Sequence, residues 1–216
     1  MVNRKIYKYV LVLLVIAGMF LGGFRLISYH KQLSTNEPIQ IESPIVVSHN
    51  SVMLKDGSYV YVNIEMTKGR YFFETLGGGL YGSNWNGEYQ IRVYREENEY
   101  DSPMSVTPLN IGNETLLNFG SLFNLEFDDY NNDGNPDFTI GQWGSSNGNT
   151  FEMFSIDNEG NIIDLNTNIF VSDHSFSILL EKTSPTSFTY SYYNNMESSW
   201  IQCNYEWMED SFIKIE

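Results

Sequence analysis

The sequence predicts an all-β, antiparallel, hairpin-rich domain, and three observations carry that reading. Short runs of β-branched and aromatic residues recur from residue 59 to residue 207. X-Gly dipeptides separate them, the strongest short-range hairpin signal. Near the C-terminus Ile201, Cys203, Tyr205 and Trp207 alternate with polar residues, as in a strand with one buried face.

The turns set the order of the elements. Asp56-Gly57 precedes a strand-like run over 59–66, and Asn86-Gly87 precedes another over 88–94. Asn147-Gly148 leads into 150–156, which Glu159-Gly160 separates from Ile162-Ile163. Short helices are expected, if anywhere in the domain, only at 114–119 and 175–181.

Residues 1–31 differ from everything that follows. They contain no acid, and Arg4, Lys5, Lys8, Arg25 and Lys31 bracket an uncharged apolar run over 9–24. A spanning helix wants ~20 apolar residues with a floor near 17; Leu26, Ile27 and a snorkelling Arg25 extend the run. With no Ala-x-Ala site after it, the segment reads as a signal-anchor transmembrane helix with its cationic N-terminus in the cytoplasm. A cleaved signal peptide, giving a secreted protein, is the competing reading, and both place the remainder outside. Residues 32–44, polar with two prolines, read as a stalk. Residues 45–216 are long enough for one domain with its own core.

Beyond residue 31 the chain holds 7 Lys and Arg against 27 Asp and Glu, a net −20. Such a surface repels nucleic acid and attracts divalent cations. Cys203 is the single cysteine, so no intramolecular disulfide forms. Disulfide-free export is the pattern of a bacterial surface protein rather than of an animal ectodomain.

The stretch richest in chemistry runs from 127 to 138. Asp129, Asn131, Asp133 and Asp137 stand at loop positions 1, 3, 5 and 9, with Gly134 at position 6 and the carbonyl of Asn135 at position 7. A hard cation such as Ca²⁺ takes six to eight oxygens, and this alternation supplies them. An EF-hand needs a bidentate Glu at position 12 and helical flanks; here position 12 is Ile140 and both flanks read as strands. A metal-free polar turn is the competing reading, but three carboxylates so close repel one another without a cation.

With Phe119-Gly120 before it and Gly141 after it, this stretch resembles one FG-GAP (VCBS-type) repeat, the calcium-carrying hairpin of β-propellers that include integrin α-subunits. The resemblance covers 119–142 and implies that Asp129, Asn131, Asp133, Asn135 (through its carbonyl) and Asp137 ligate Ca²⁺. It departs from the pattern after Gly141, where Gln142-Trp143 stands in place of Ala-Pro. There is no second full copy; Asp157-Asn158-Glu159-Gly160 lacks the later aspartate and reads as a plain turn. Propeller blades run ~40–45 residues in WD40-type repeats, so a sandwich-like or irregular sheet is expected ahead of a small propeller.

Catalytic signals are weaker. Residues 144–148 match G-x-S-x-G, with Asp164, Asp173 and His174 downstream, but a nucleophile elbow needs a strand-to-helix turn, and a strand is expected here. Gly77-Gly78-Gly79 opens no phosphate loop. His30, His49 and His174 lack ligand spacing. Tyr81, Trp85, Trp143, Tyr192, Tyr193 and Trp200 lie near turns, where rings either stack on sugars or partners or fill the core. The expectation is a membrane-anchored extracellular calcium-binding module for a protein or glycan. The alternatives are a cell-envelope hydrolase and a scaffold of a membrane complex.

Overall fold

The chain turns back on itself at nearly every loop, so strand order in space follows strand order in sequence. The structure is a computed structural model that describes residues 37–76, 81–96 and 102–215. The signal-anchor reading of 1–31 and residues 32–36 of the stalk lie outside the described residues. Within the remainder of the stalk, Ile39–Ile41 forms strand β1 and pairs with the domain.

Three open antiparallel sheets follow one another. The first contains β1, β2 (Ile45–Met53), β3 (Tyr59–Glu74), β4 (Gly82–Tyr94), β5 (Ser105–Leu109) and β6 (Leu117–Phe119). Strands β1 and β2 share one edge of β3, while β5 and β6 share the far edge of β4. The sheet is therefore four strands wide. The second contains β7 (Phe127–Asp128), β8 (Asp137–Ser145), β9 (Gly148–Ile156) and β10 (Ile162–Val171). The third contains β11 (Glu181–Ser184), β12 (Ser187–Asn194), β13 (Ser199–Met208) and β14 (Ser211–Ile215).

The second sheet lies between the other two. Side chains alternate across a strand, and here each parity enters a different core. Phe138, Ile140, Phe154 and Ile156 pack with Val62, Ile64, Ile91 and Phe119 of the first sheet. Phe151 and Met153 pack with Phe188 and Phe212 of the third. Residues 137–141 are consequently all buried, where a surface strand would alternate.

Expected turns at Asp56-Gly57, Asn147-Gly148 and Glu159-Gly160 fall between β2 and β3, β8 and β9, and β9 and β10. Asn86-Gly87 does not turn the chain: it lies inside β4, where Gly87 faces Gly69 of β3 beside a bulge at Met66/Lys68. A Cβ on Gly87 would sit 2.1 Å from the Lys68 carbonyl oxygen, so this glycine serves close backbone approach and not a turn.

Neither expected helix forms. Residues 117–119 are β6, and 175–180 run irregularly beside the second sheet. There the Phe176 carbonyl accepts the Gly141 N–H at 2.8 Å, and the Ile178 N–H donates to Thr139 Oγ1 at 2.9 Å. Backbone groups committed to β8 are lost to a helix. In β13, Cys203 is buried while Ile201, Tyr205 and Trp207 are half-buried, so the alternation holds in weakened form.

Gly87→Ala is expected to cost roughly 2–3 kcal/mol, since backbone must move to admit the methyl. Gly112→Ala, at φ 58 with open space around it, should cost only about 1 kcal/mol. Urea unfolding followed by tryptophan fluorescence measures both.

Candidate metal centre

The five residues singled out in the sequence converge in one loop, 129–136, and the strand residue that closes it. The loop joins β7 to β8, whose register pairs Asp128 with Asp137. Positive φ at Asn132 (59°) and Gly134 (87°) lets the chain reverse tightly.

Side-chain oxygens hold the loop by Asx-type hydrogen bonds. The Asp129 carboxylate accepts the N–H of Asp133 at 3.1 Å and of Gly134 at 3.0 Å. Asn131 Oδ1 accepts the Asp133 N–H at 3.1 Å. Asp133 Oδ1 accepts the Asn135 N–H at 2.8 Å, and its Oδ2 accepts the side-chain amides of Asn131 and Asn135, each at 3.2 Å.

Asp137 differs from the others. It is fully buried, and its Oδ2 accepts the Tyr130 N–H at 2.8 Å. Its Oδ1 is also buried and faces the hydroxyl of Ser155, its register partner on β9, without a well-formed hydrogen bond between them. Desolvation pushes the Asp137 carboxyl up from 3.8 to about 7, opposed by the Ser155 hydroxyl and the Tyr130 N–H, with the charges of Asp133 and Asp129 adding to the rise. Tyr130 anchors the loop from below: its ring packs edge-on to Phe188 at 5.7 Å, and its hydroxyl accepts the Leu180 N–H at 2.8 Å. Burial lifts its phenol to about 12.

Two lysines that the sequence reading missed reach the loop from other sheets. Lys182 of β11 lies 3.4 Å from the Asp128 carboxylate and donates to the Asp129 carbonyl. Lys55, in the turn before β3, donates to the Asp133 carbonyl and lays its chain over Gly134. They stand 53 and 78 residues away in the chain, so no local pattern points to them.

Among the described residues no three His, Cys, Asp or Glu side chains stand close enough together to hold a metal ion. The donor set nonetheless fits a hard cation. It is all oxygen, each carboxylate oxygen keeps acceptor capacity beyond the N–H it takes, and the buried Asp137 Oδ1 meets the Ser155 hydroxyl without a well-formed hydrogen bond. Asp129, Asn131, Asp133, Asp137 and the Asn135 carbonyl are the groups that would hold Ca²⁺.

The other motifs resolve as structure. Residues 144–148 close the β8–β9 hairpin, with Ser145 paired to Gly148, and no helix follows. His49 hydrogen-bonds Asn63 Oδ1 at 2.6 Å and stacks on Tyr61. The His174 ring stacks on Trp143. Residues 77–80 and His30 lie outside the described residues. A polar cluster emerges on the first sheet: buried Glu65 accepts from Asn63, Gln90, Arg92 and Tyr94 at 3.1–3.4 Å. No protein-family model matches the chain, and searches of curated proteins and of solved structures return no significant match.

A carboxyl whose folded pKa is raised favours the folded state most below the unfolded value and loses that contribution as pH rises through the folded one. For Asp137 the window runs from about 4 to about 7. Its size is at most about 4 kcal/mol at 1.36 kcal/mol per pH unit. In chelator, the melting midpoint of the parent should therefore fall between pH 5 and pH 8, and that of Asp137→Asn should fall less. Equal slopes would show that Asp137 ionises without cost.

Proposed function

We propose that the chain is an exported, single-pass membrane protein whose loop at 129–137 binds calcium and whose β-domain acts by binding an extracellular protein or glycan. The observation that carries the metal is the buried Oδ1 of Asp137, which meets only the Ser155 hydroxyl, and that imperfectly, near the charges of Asp129 and Asp133. The resemblance of 119–142 to an FG-GAP repeat supports the same ligands. The basic-flanked apolar run at 9–24 supports the anchor, and the net −20 beyond it argues against nucleic acid. The hydrolase reading has lost its serine motif to a hairpin.

The metal supplies structure and no reaction chemistry. Extracellular modules bind Ca²⁺ at ~10⁻⁴–10⁻³ M, and at ten times the Kd one site adds about 1.4 kcal/mol. In a domain of this size that corresponds to a midpoint shift of roughly 3–6 °C. Its effect would be local: relieving Asp137 and setting the loop against the third sheet.

Thermal unfolding of the full chain with Ca²⁺ and with chelator tests this. Ca²⁺ should raise the midpoint of the parent and leave Asp133→Ala unmoved. A parent that ignores Ca²⁺ makes the loop a metal-free Asx turn. Separately, the full chain should sediment with membranes and its domain should be cut by protease added outside intact cells. Deletion of 1–31 should abolish both.

A further inference from the structure

Away from the loop, the seam between the first and second sheets opens into a cleft of about 210 Å³. Its floor is amide. Asn84 and Asn149 are both 2 % exposed. Asn84 Oδ1 accepts the Asn118 side-chain amide at 2.8 Å, and Asn84 Nδ2 donates to the Gly82 carbonyl at 2.8 Å. Asn149 Nδ2 donates to the Ser175 carbonyl at 2.9 Å. Asn149 Oδ1 also meets the His174 ring nitrogen at 3.4 Å. Each amide is thus held in place, and the buried Asn118 Oδ1 has no hydrogen-bond partner.

The walls are aromatic. Trp143 and Tyr81 are 48 % and 69 % exposed at the rim. The indole is fixed by stacking on His174, with centroids 5.4 Å apart and planes at 15°. Rings held rigidly at a cleft mouth present flat apolar area at little entropic cost on binding.

Among the described residues no Asp, Glu, Lys or Arg lines this cleft, although the chain beyond residue 31 carries −20. A charged ligand would find no counter-charge there, and an anionic one would be repelled by the surrounding surface. The volume falls below the ~300–1,000 Å³ of drug-sized pockets, so it suits one ring. A flat apolar face together with several neutral hydroxyls is the chemistry of a pyranose: its C–H face matches an indole or phenol, and its adjacent hydroxyls match amide groups that both donate and accept.

We propose that this cleft binds one pyranose unit of a neutral glycan, with Trp143 and Tyr81 as stacking platforms, Asn118 and Asn149 as hydroxyl partners, and Asn84 holding Asn118 in place. The proposal deepens the binding-module reading and rests on it.

Saturation-transfer NMR on the full chain, in a detergent without a sugar headgroup, tests it with the methyl glycosides of glucose, galactose, mannose and N-acetylglucosamine. At least one should show saturable transfer to its C–H protons at millimolar concentration. Trp143→Ala and Tyr81→Ala, both at the rim, should each weaken it about tenfold. Tyr59→Ala, an equally exposed ring at the opposite end of β3, should leave it unchanged. No saturable transfer from any of the four, or transfer undiminished in Trp143→Ala, overturns the proposal, as does a neutral acetylated peptide that binds where the glycosides do not. The Ca²⁺ shift of the midpoint, measured on the same samples, separates the two readings. Sugar binding lost with that shift intact defeats the cleft alone, and the reverse defeats the loop alone.

Discussion

The centre of the second sheet, residues 137–141 of β8 and 153–156 of β9, has no solvent face, and the remainder of the domain follows from that constraint. A strand packed on one side can put its polar residues in water; β8 cannot, because Phe138 and Ile140 enter one core while Thr139 and Gly141 face the third sheet and the 175–180 segment. Thr139 is tolerated because its hydroxyl bonds the Ile178 carbonyl at 3.0 Å. Gly141 is required because a Cβ there would sit 2.4 Å from the Phe151 ring. Asp137 begins the same strand, so its carboxyl is carried into the interior with the others.

That placement sets Asp137 apart from the rest of the loop. Asp129, Asn131 and Asp133 satisfy backbone N–H groups at the surface at little cost. Asp137 bears the desolvation penalty of a buried acid, which the Tyr130 N–H and the Ser155 hydroxyl offset only in part. A cation relieves such a group most effectively, since it both neutralises and ligates. The lysines at 55 and 182 relieve only the outer carbonyls and Asp128. The loop is thus tied to all three sheets: by Lys55 from the first, by Asp137 in the second, and by Lys182 and the Tyr130–Phe188 contact from the third.

Local patterns revealed the features that act locally. Hairpins at Asp56-Gly57 and Asn147-Gly148 were legible because the turn chemistry lies within a few residues. The oxygen spacing of 129–137 was legible for the same reason. Asn86-Gly87 carries the same dipeptide signal and misled, because a cross-strand glycine at position 69 decides its role. The expected helices at 114–119 and 175–181 failed likewise, since β4 and β8 claim their backbone groups.

The all-β class, the antiparallel hairpins and the membership of the acidic loop were determined by the sequence itself, through periodicity and turn residues that need no distant partner. The stacking of three sheets was decided only in the tertiary structure, as were the depth of Asp137, the two lysines at the loop and the joining of Trp143, Tyr81 and three asparagines around one cleft. Each of these depends on which faces meet, and residues as far apart as 81 and 174 become neighbours only when two sheets bury their apolar sides against each other.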